Sequence, residues 1–283
     1  MTAPTTAGPT VPFGDRLRDA VQRRGPLCVG IDPHPALLAA WGLPDDPRGL
    51  DTFATTVVEA LGGQLAVLKP QSAFFERHGS AGIAVLERAA ASARAAGALV
   101  LLDAKRGDIG STMQAYADYL DPGHPLAVDA MTVSPFLGFG SLAPAIAAAH
   151  AHGGGLFVLA RTSNPEGADV QLARTSAGHT VAQHIVAAVG DINASTSPYG
   201  SIGMVIGATL SALDVDISTL GGPVLCPGFG AQGGNAEHVR RLFSGFGGVV
   251  LPTSSRDVLR RGPDVEALRD AARAAAADLG RVG

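Results

Sequence analysis

ALVLLDAKRGDIGST, residues 98–112, changes character halfway along. Five apolar residues are followed by Asp103, Lys105 and Asp108, and the chain then runs into IGSTMQAYADYL, a stretch of helical composition. An apolar run without alternation, ending in charge and leading into a helix, is the pattern of a parallel strand covered on both faces. The pattern recurs on both sides. Before it come LCVGID (27–32) and LAVLKP (65–70); after it come AVDAMTV (127–133), GLFVLAR (155–161), SIGMVIG (201–207), PVLCPG (223–228) and GVVLPTS (248–254). Helices are expected between them, among others at 80–96, 109–120, 140–151 and 235–243. Eight alternations of strand and helix point to a closed (β/α)8 TIM barrel rather than an open doubly wound sheet.

One further helix (13–24) precedes the first strand and another (264–279) follows the last. WGLPDDPRG (41–49) and DINASTSPYGS (191–201) read as surface loops from their turn residues. With no repeat or linker, residues 13–283 are expected to form a single catalytic domain behind a disordered tail, MTAPTTAGPTVP (1–12). That start lacks the basic and apolar segments of a signal peptide, and no run reaches the roughly 18 apolar residues of a membrane span.

Only 16% of the residues are charged and the net charge is -4, so there is no broad basic field for nucleic acid, and an anionic substrate would need a local nest of donors. The two cysteines, Cys28 and Cys226, each lie in an apolar run and read as buried small hydrophobes, which fits a reducing, cytoplasmic setting.

In a barrel the chemistry collects at the C-terminal strand ends. Read in order, these ends give Asp32, Lys69, and then Asp103 with Lys105 and Asp108. Taken singly, Asp103 and Lys105 are equally well a structural ion pair, and Asp108 a helix cap. As an alternating array on successive strands they are better explained by function. Strand periodicity places Asp103 and Lys105 on one face. A lysine held between carboxylates stays protonated, so it is a poor nucleophile but a good cation and proton donor for a carbanion.

The second constellation is PGFGAQGG (227–234), after the seventh strand and opening a helix, with Arg256 following the eighth. Glycines let backbone N–H groups turn toward an anion, a helix N-terminus adds its dipole, and loops seven and eight are the usual phosphate site of this fold. Weaker candidates are His150 and His152, at a helix end without a carboxylate or cysteine nearby, and DPHP (32–35), mainly a turn. RTSNPEG (161–167) ends the fifth strand and could bring Ser163 and Asn164 to the substrate.

These residues resemble the orotidine 5'-phosphate decarboxylase family. DAKRGDIGST (103–112) matches its D-x-K-x-x-D-I-x-x-T signature, PGFGAQGG matches its phosphate loop, and the strand ends agree in order from first to eighth. The longer loops are similar to its longer bacterial subgroup. The resemblance implies conversion of orotidine 5'-phosphate to UMP and CO2, the last step of UMP biosynthesis, without cofactor or metal. It further implies that Asp32 holds a ribose hydroxyl, that Lys69 bridges the ribose and the charges, and that Asp103 lies against the substrate carboxylate. Lys105 would donate the proton to C6. Asp108, Ile109 and Thr112 would reach into the site of the other subunit of a homodimer. Ser163 would contact the base, Pro227 would line the substrate, and Gln232 and Arg256 would hold the phosphate. The chain departs from the family in having Ser254-Ser255-Arg256 where many members carry Gly-Arg. Magnesium-dependent sugar-phosphate enzymes with a similar motif place a glutamate where this chain has Lys69, a cation that repels a metal. A non-catalytic phosphometabolite-binding barrel would keep PGFGAQGG and Arg256 but have no use for Lys105.

Overall fold

In a computed structural model, which describes residues 11–196, 199–230 and 233–280, the apolar runs pair in chain order. The strands are β1 (Cys28–Ile31), β2 (Val67–Pro70), β3 (Leu99–Arg106), β4 (Ala130–Val133), β5 (Gly155–Arg161), β6 (Ile202–Ile206), β7 (Val224–Pro227) and β8 (Val250–Ser254). All pairings are parallel, and β8 returns to β1 to close the barrel. The expected (β/α)8 architecture is therefore present, together with the helix before β1 (Phe13–Arg24) and the one after β8 (Val265–Leu279). Of the tail expected at 1–12, only Val11 and Pro12 are among the described residues. None of the described helices is long and apolar enough to cross a membrane.

Two cores result from the period of 2 along each strand. Outward residues such as Leu68, Val100 and Leu102 pack under the surrounding helices. Inward residues Val67, Leu101, Ala130, Leu225 and Leu251 fill the barrel, and the helix Phe13–Arg24 plugs it from below with Phe13 and Leu17. Phe13 meets Phe157 edge to face, with ring centroids 6.0 Å apart, and Gly155 leaves room for its ring, since a Cβ there would strike it. Two residues further up the same strands, the inward positions are Lys69, Asp103, Thr132, Pro227 and Thr253. One step of strand register thus carries the lining from hydrocarbon to polar side chains at all of these positions but Pro227.

Two expected loops are partly helical. Asp46 accepts N–H bonds from Arg48 and Gly49, and with Pro47 it starts the helix Pro47–Leu61 inside WGLPDDPRG. Asp191–Ala194 form the last turn of the helix Val181–Ala194 because Asn193 is buried there, donating to the carbonyls of Ile202 (2.7 Å) and Leu220 (2.8 Å). β4 begins later than expected, at Ala130, because Asp129 Oδ2 takes the Val100 N–H at 2.9 Å. Trp41, the single tryptophan, joins the two ends of the barrel: its indole N–H donates to the Leu259 carbonyl at 2.9 Å, and a Cβ on Gly262 would collide with its ring.

Candidate active site

Asp103 is the hub of the barrel mouth. Lys69 Nζ donates to its Oδ2 at 3.0 Å, while Lys105 Nζ (2.6 Å) and Thr132 Oγ1 (2.9 Å) both donate to Oδ1. Burial opposes a charged carboxylate, but the two ammonium groups outweigh it and hold Asp103 well below the ordinary carboxylate range. Lys69, whose side chain is 5% exposed, feels the converse. Burial pulls its pKa down, and Asp103 and Asp32 more than restore it, so that it stays protonated. Lys69 and Asp103 are thus both ionised around neutral pH.

Lys105 reaches Asp103 by a route that strand alternation does not supply. It has φ +48°, the only non-glycine residue with positive φ among those described, and the β3–β4 register shifts between Leu102 and Arg106. The left-handed turn folds the lysine back on the carboxylate two residues before it. Its side chain stays 46% exposed, open to proton exchange with water.

A cavity of about 340 Å³ adjoins the array, lined by Asp32, Lys69, Asp103, Gly228, Ser255 and Arg256 among others. Pro227 contributes to its wall, as do Gln71 and His34. Asp32 Oδ1 is buried without a hydrogen-bond partner, an acceptor that favours a donor-bearing ligand. Gly228 and Gly230 have φ of 103° and 84°, conformations that suit glycine, and the loop is pinned by Gly230 N–H to Gly234 O (2.7 Å) and Gly234 N–H to Gly228 O (3.1 Å). Gln232 lies outside the described residues.

The helix that follows this loop, Ala236–Leu242, does not open on the cavity as its position in sequence suggested. Asn235 caps it, accepting the His238 N–H at 2.7 Å, and its start borders a different depression with Arg260 and Arg261. The short helix facing the cavity is Arg256–Leu259, directly after β8.

Lys105 is not in the cavity wall itself but is bonded to Asp103, which is, and four further expected site residues stand apart from the cavity in the single chain. Asp108, Ile109 and Thr112 lie at the start of the helix Gly110–Ala117, with Ile109 63% exposed. Asp108 is not that helix's N-cap, a position occupied by Ile109; its Oδ1 only accepts the Ile109 N–H at 2.8 Å. Ser163 is exposed on the loop after β5, close over Gly207 at the end of β6. Thr132 and Gln71 are not singled out by the sequence, and His34 is set aside there within DPHP as mainly a turn. Thr132 did carry a signal, as a polar residue in register with Ala130 on an otherwise apolar strand.

This is the layout of a (β/α)8-barrel enzyme with an array of paired charges at its strand ends. Residues 25–271 match the family model described as orotidine 5'-phosphate decarboxylase / HUMPS family. The chain is 60% identical over 267 residues to the orotidine 5'-phosphate decarboxylase of Salinispora arenicola, covering 94% of this chain and 96% of that protein. It is 63% identical over 260 residues to that of a Nocardioides species, covering 90% and 94%. A crystal structure from Streptomyces avermitilis assigned to the same enzyme superposes with a TM-score of 0.94 at 54% identity, covering 99% of both chains. The Leishmania donovani OMP decarboxylase structure gives 0.75 at 27% identity, covering 96% and 99%. The chain belongs to the orotidine 5'-phosphate decarboxylase / HUMPS family.

Proposed function

We propose that the protein converts orotidine 5'-phosphate to UMP and CO2 in pyrimidine biosynthesis, with Lys105 as proton donor and no cofactor. The observation that carries this reading is the Lys69–Asp103–Lys105 array, with bonds of 3.0 and 2.6 Å, beside a cavity that ends in glycines and Arg256. In the reaction the bond between C6 and the carboxyl carbon breaks, CO2 leaves, and the electron pair stays on C6. The Lys105 ammonium stabilises that charge as it develops and then transfers a proton to C6. Its exposed side recovers the proton from water. Asp103 fixes both ammonium groups in place, so little reorganisation accompanies charge development. Lys69, held protonated, occupies the place where a metal-binding carboxylate would be needed in the magnesium-dependent alternative.

Asp32, with its unpartnered Oδ1, suits a ribose hydroxyl. Pro227 lines the substrate, and Gln232 and Arg256 hold the phosphate end, where a guanidinium fork fits two phosphate oxygens. Ser163 reaches the base when its loop closes. Asp108, Ile109 and Thr112 complete the site of a second subunit; their absence from the wall of their own cavity supports this, as does the 63% exposure of the apolar Ile109 side chain. The direct test follows the absorbance of orotidine 5'-phosphate with purified protein in excess chelator. Turnover is expected. Absence of turnover, or turnover only on adding magnesium, would refute the proposal.

A further inference from the structure

Thr132 is 1% exposed on β4, and its hydroxyl makes two hydrogen bonds. It donates to Asp103 Oδ1 at 2.9 Å and accepts the backbone N–H of Lys105 at 2.9 Å. One oxygen therefore joins the hub carboxylate to the backbone of the residue that departs from strand geometry. Lys105 has the left-handed φ of +48°, a region that disfavours a side-chain-bearing residue and persists only where the surroundings over-determine it. Left-handed geometry takes the Lys105 N–H out of the regular β3–β4 ladder, and an unpaired buried N–H is costly. Thr132 supplies the missing acceptor. Beyond it the ladder resumes through Ser134 N–H to the Arg106 carbonyl at 2.7 Å. Gly107 packs so closely on Ser134 that a Cβ would meet its carbonyl, and the Arg106 side chain is bonded to Glu76. The turn is thus clamped on both sides, and on the array's side the clamp is a single hydroxyl.

We infer that Thr132 is a positioning residue for the reaction: its hydroxyl holds Lys105 in the left-handed turn and Asp103 in the orientation that aims the Lys105 ammonium at the reacting carbon. Thr132 does not touch substrate and acts through Lys105 and Asp103. The inference rests on the decarboxylase reading for its kinetic arm and is independent of it for its structural arm. Thr132→Val keeps the branched shape and deletes the hydroxyl; Thr132→Ser keeps the hydroxyl and deletes the methyl.

With orotidine 5'-phosphate, Thr132→Val is expected to lower kcat roughly 100-fold, the scale of an ångström-sized misplacement of a catalytic group, with KM little changed. Thr132→Ser should recover most of the lost rate. Wild-type kcat in Thr132→Val, or equal impairment in both variants, overturns the inference. If Thr132→Val does not fold, Thr132→Ala against Thr132→Ser makes the same comparison with the methyl absent from both. A crystal structure of the Val or Ala variant gives the second readout, whatever the substrate. Lys105 is expected to leave positive φ or lose its bond to Asp103, and retention of both would overturn the inference. An inactive wild-type protein would sink the decarboxylase reading while leaving this structural arm standing.

Discussion

Replacing Asp103 by Asn preserves the shape of the side chain and removes the negative charge that Lys69 and Lys105 share. The two lysines are affected unequally. Lys105, 46% exposed, turns to water and loses little. Lys69, 5% exposed and bonded to Asp103 at 3.0 Å, becomes a buried cation whose remaining support is Asp32. Removing one partner of a buried pair costs about 3–5 kcal/mol. With Asp32 still acting on Lys69, the lower figure applies, about 3 kcal/mol at pH 7. At roughly 2–4 °C per kcal/mol for a chain of this size, Tm should fall by about 6–12 °C.

The pH dependence is the sharper part of this test. Asp103 is held below its unfolded value, so its contribution is complete above a pH of about 4 and is lost as pH falls from there toward the depressed folded value. By pH 3, nearly one unit below the unfolded value, about 1.2 kcal/mol of it is gone. Asn does not titrate, so the gap between wild type and Asp103→Asn should narrow by about 1.2 kcal/mol between pH 6 and pH 3. Denaturant melts of both proteins across that range measure the gap directly. Equal stability at pH 7, or a gap independent of pH, would show that the carboxylate is not the counter-ion that Lys69 depends on.

Lys105→Ala should nearly abolish decarboxylation while UMP binding stays measurable by calorimetry, because the lost charge acts mainly on the transition state; substantial residual turnover would remove Lys105 as proton donor. Mixing inactive Asp108→Ala with inactive Lys105→Ala should restore some activity, since one hybrid site carries both native residues. No recovery after verified subunit exchange places Asp108 at its own subunit's site. Arg256→Ala should be severely impaired on orotidine 5'-phosphate, in both kcat and KM, and nearly unchanged on orotidine without phosphate. Equal impairment on both substrates would mean that Arg256 does not serve the phosphate.

The barrel and its charged mouth were legible because each depends on something a strand writes into sequence. An apolar run marks burial on both faces, and a charge at its end marks the place where the strand emerges. Lys69 and Asp103 follow from that alone. Alternation placed Lys105 on Asp103's face, whereas a left-handed turn is what brings its ammonium to that carboxylate. No local rule predicts positive φ at a lysine between Ala104 and Arg106, because tertiary bonds hold it there. Thr132 was missed because one threonine in a strand is ordinary, and its partners lie 27 and 29 residues away. The loop after β7 misled for a related reason. Glycines followed by a helix suggested a dipole aimed at the anion, but that helix is capped by Asn235 and its start borders another depression.

Trp41 bonds to Leu259 across 218 positions of the chain and lies against Gly262. Its segment follows β1, and its acceptor follows β8, so the indole is seated only once the first strand has found the last. A collapsed chain with seven strands in line and the seam still open would leave it with its local contact to Phe53 but without its partners Leu259 and Gly262. With no other tryptophan in the sequence, its fluorescence is an internal gauge of circular closure. It separates the moment the ring shuts from the earlier growth of the sheet, without any label being attached.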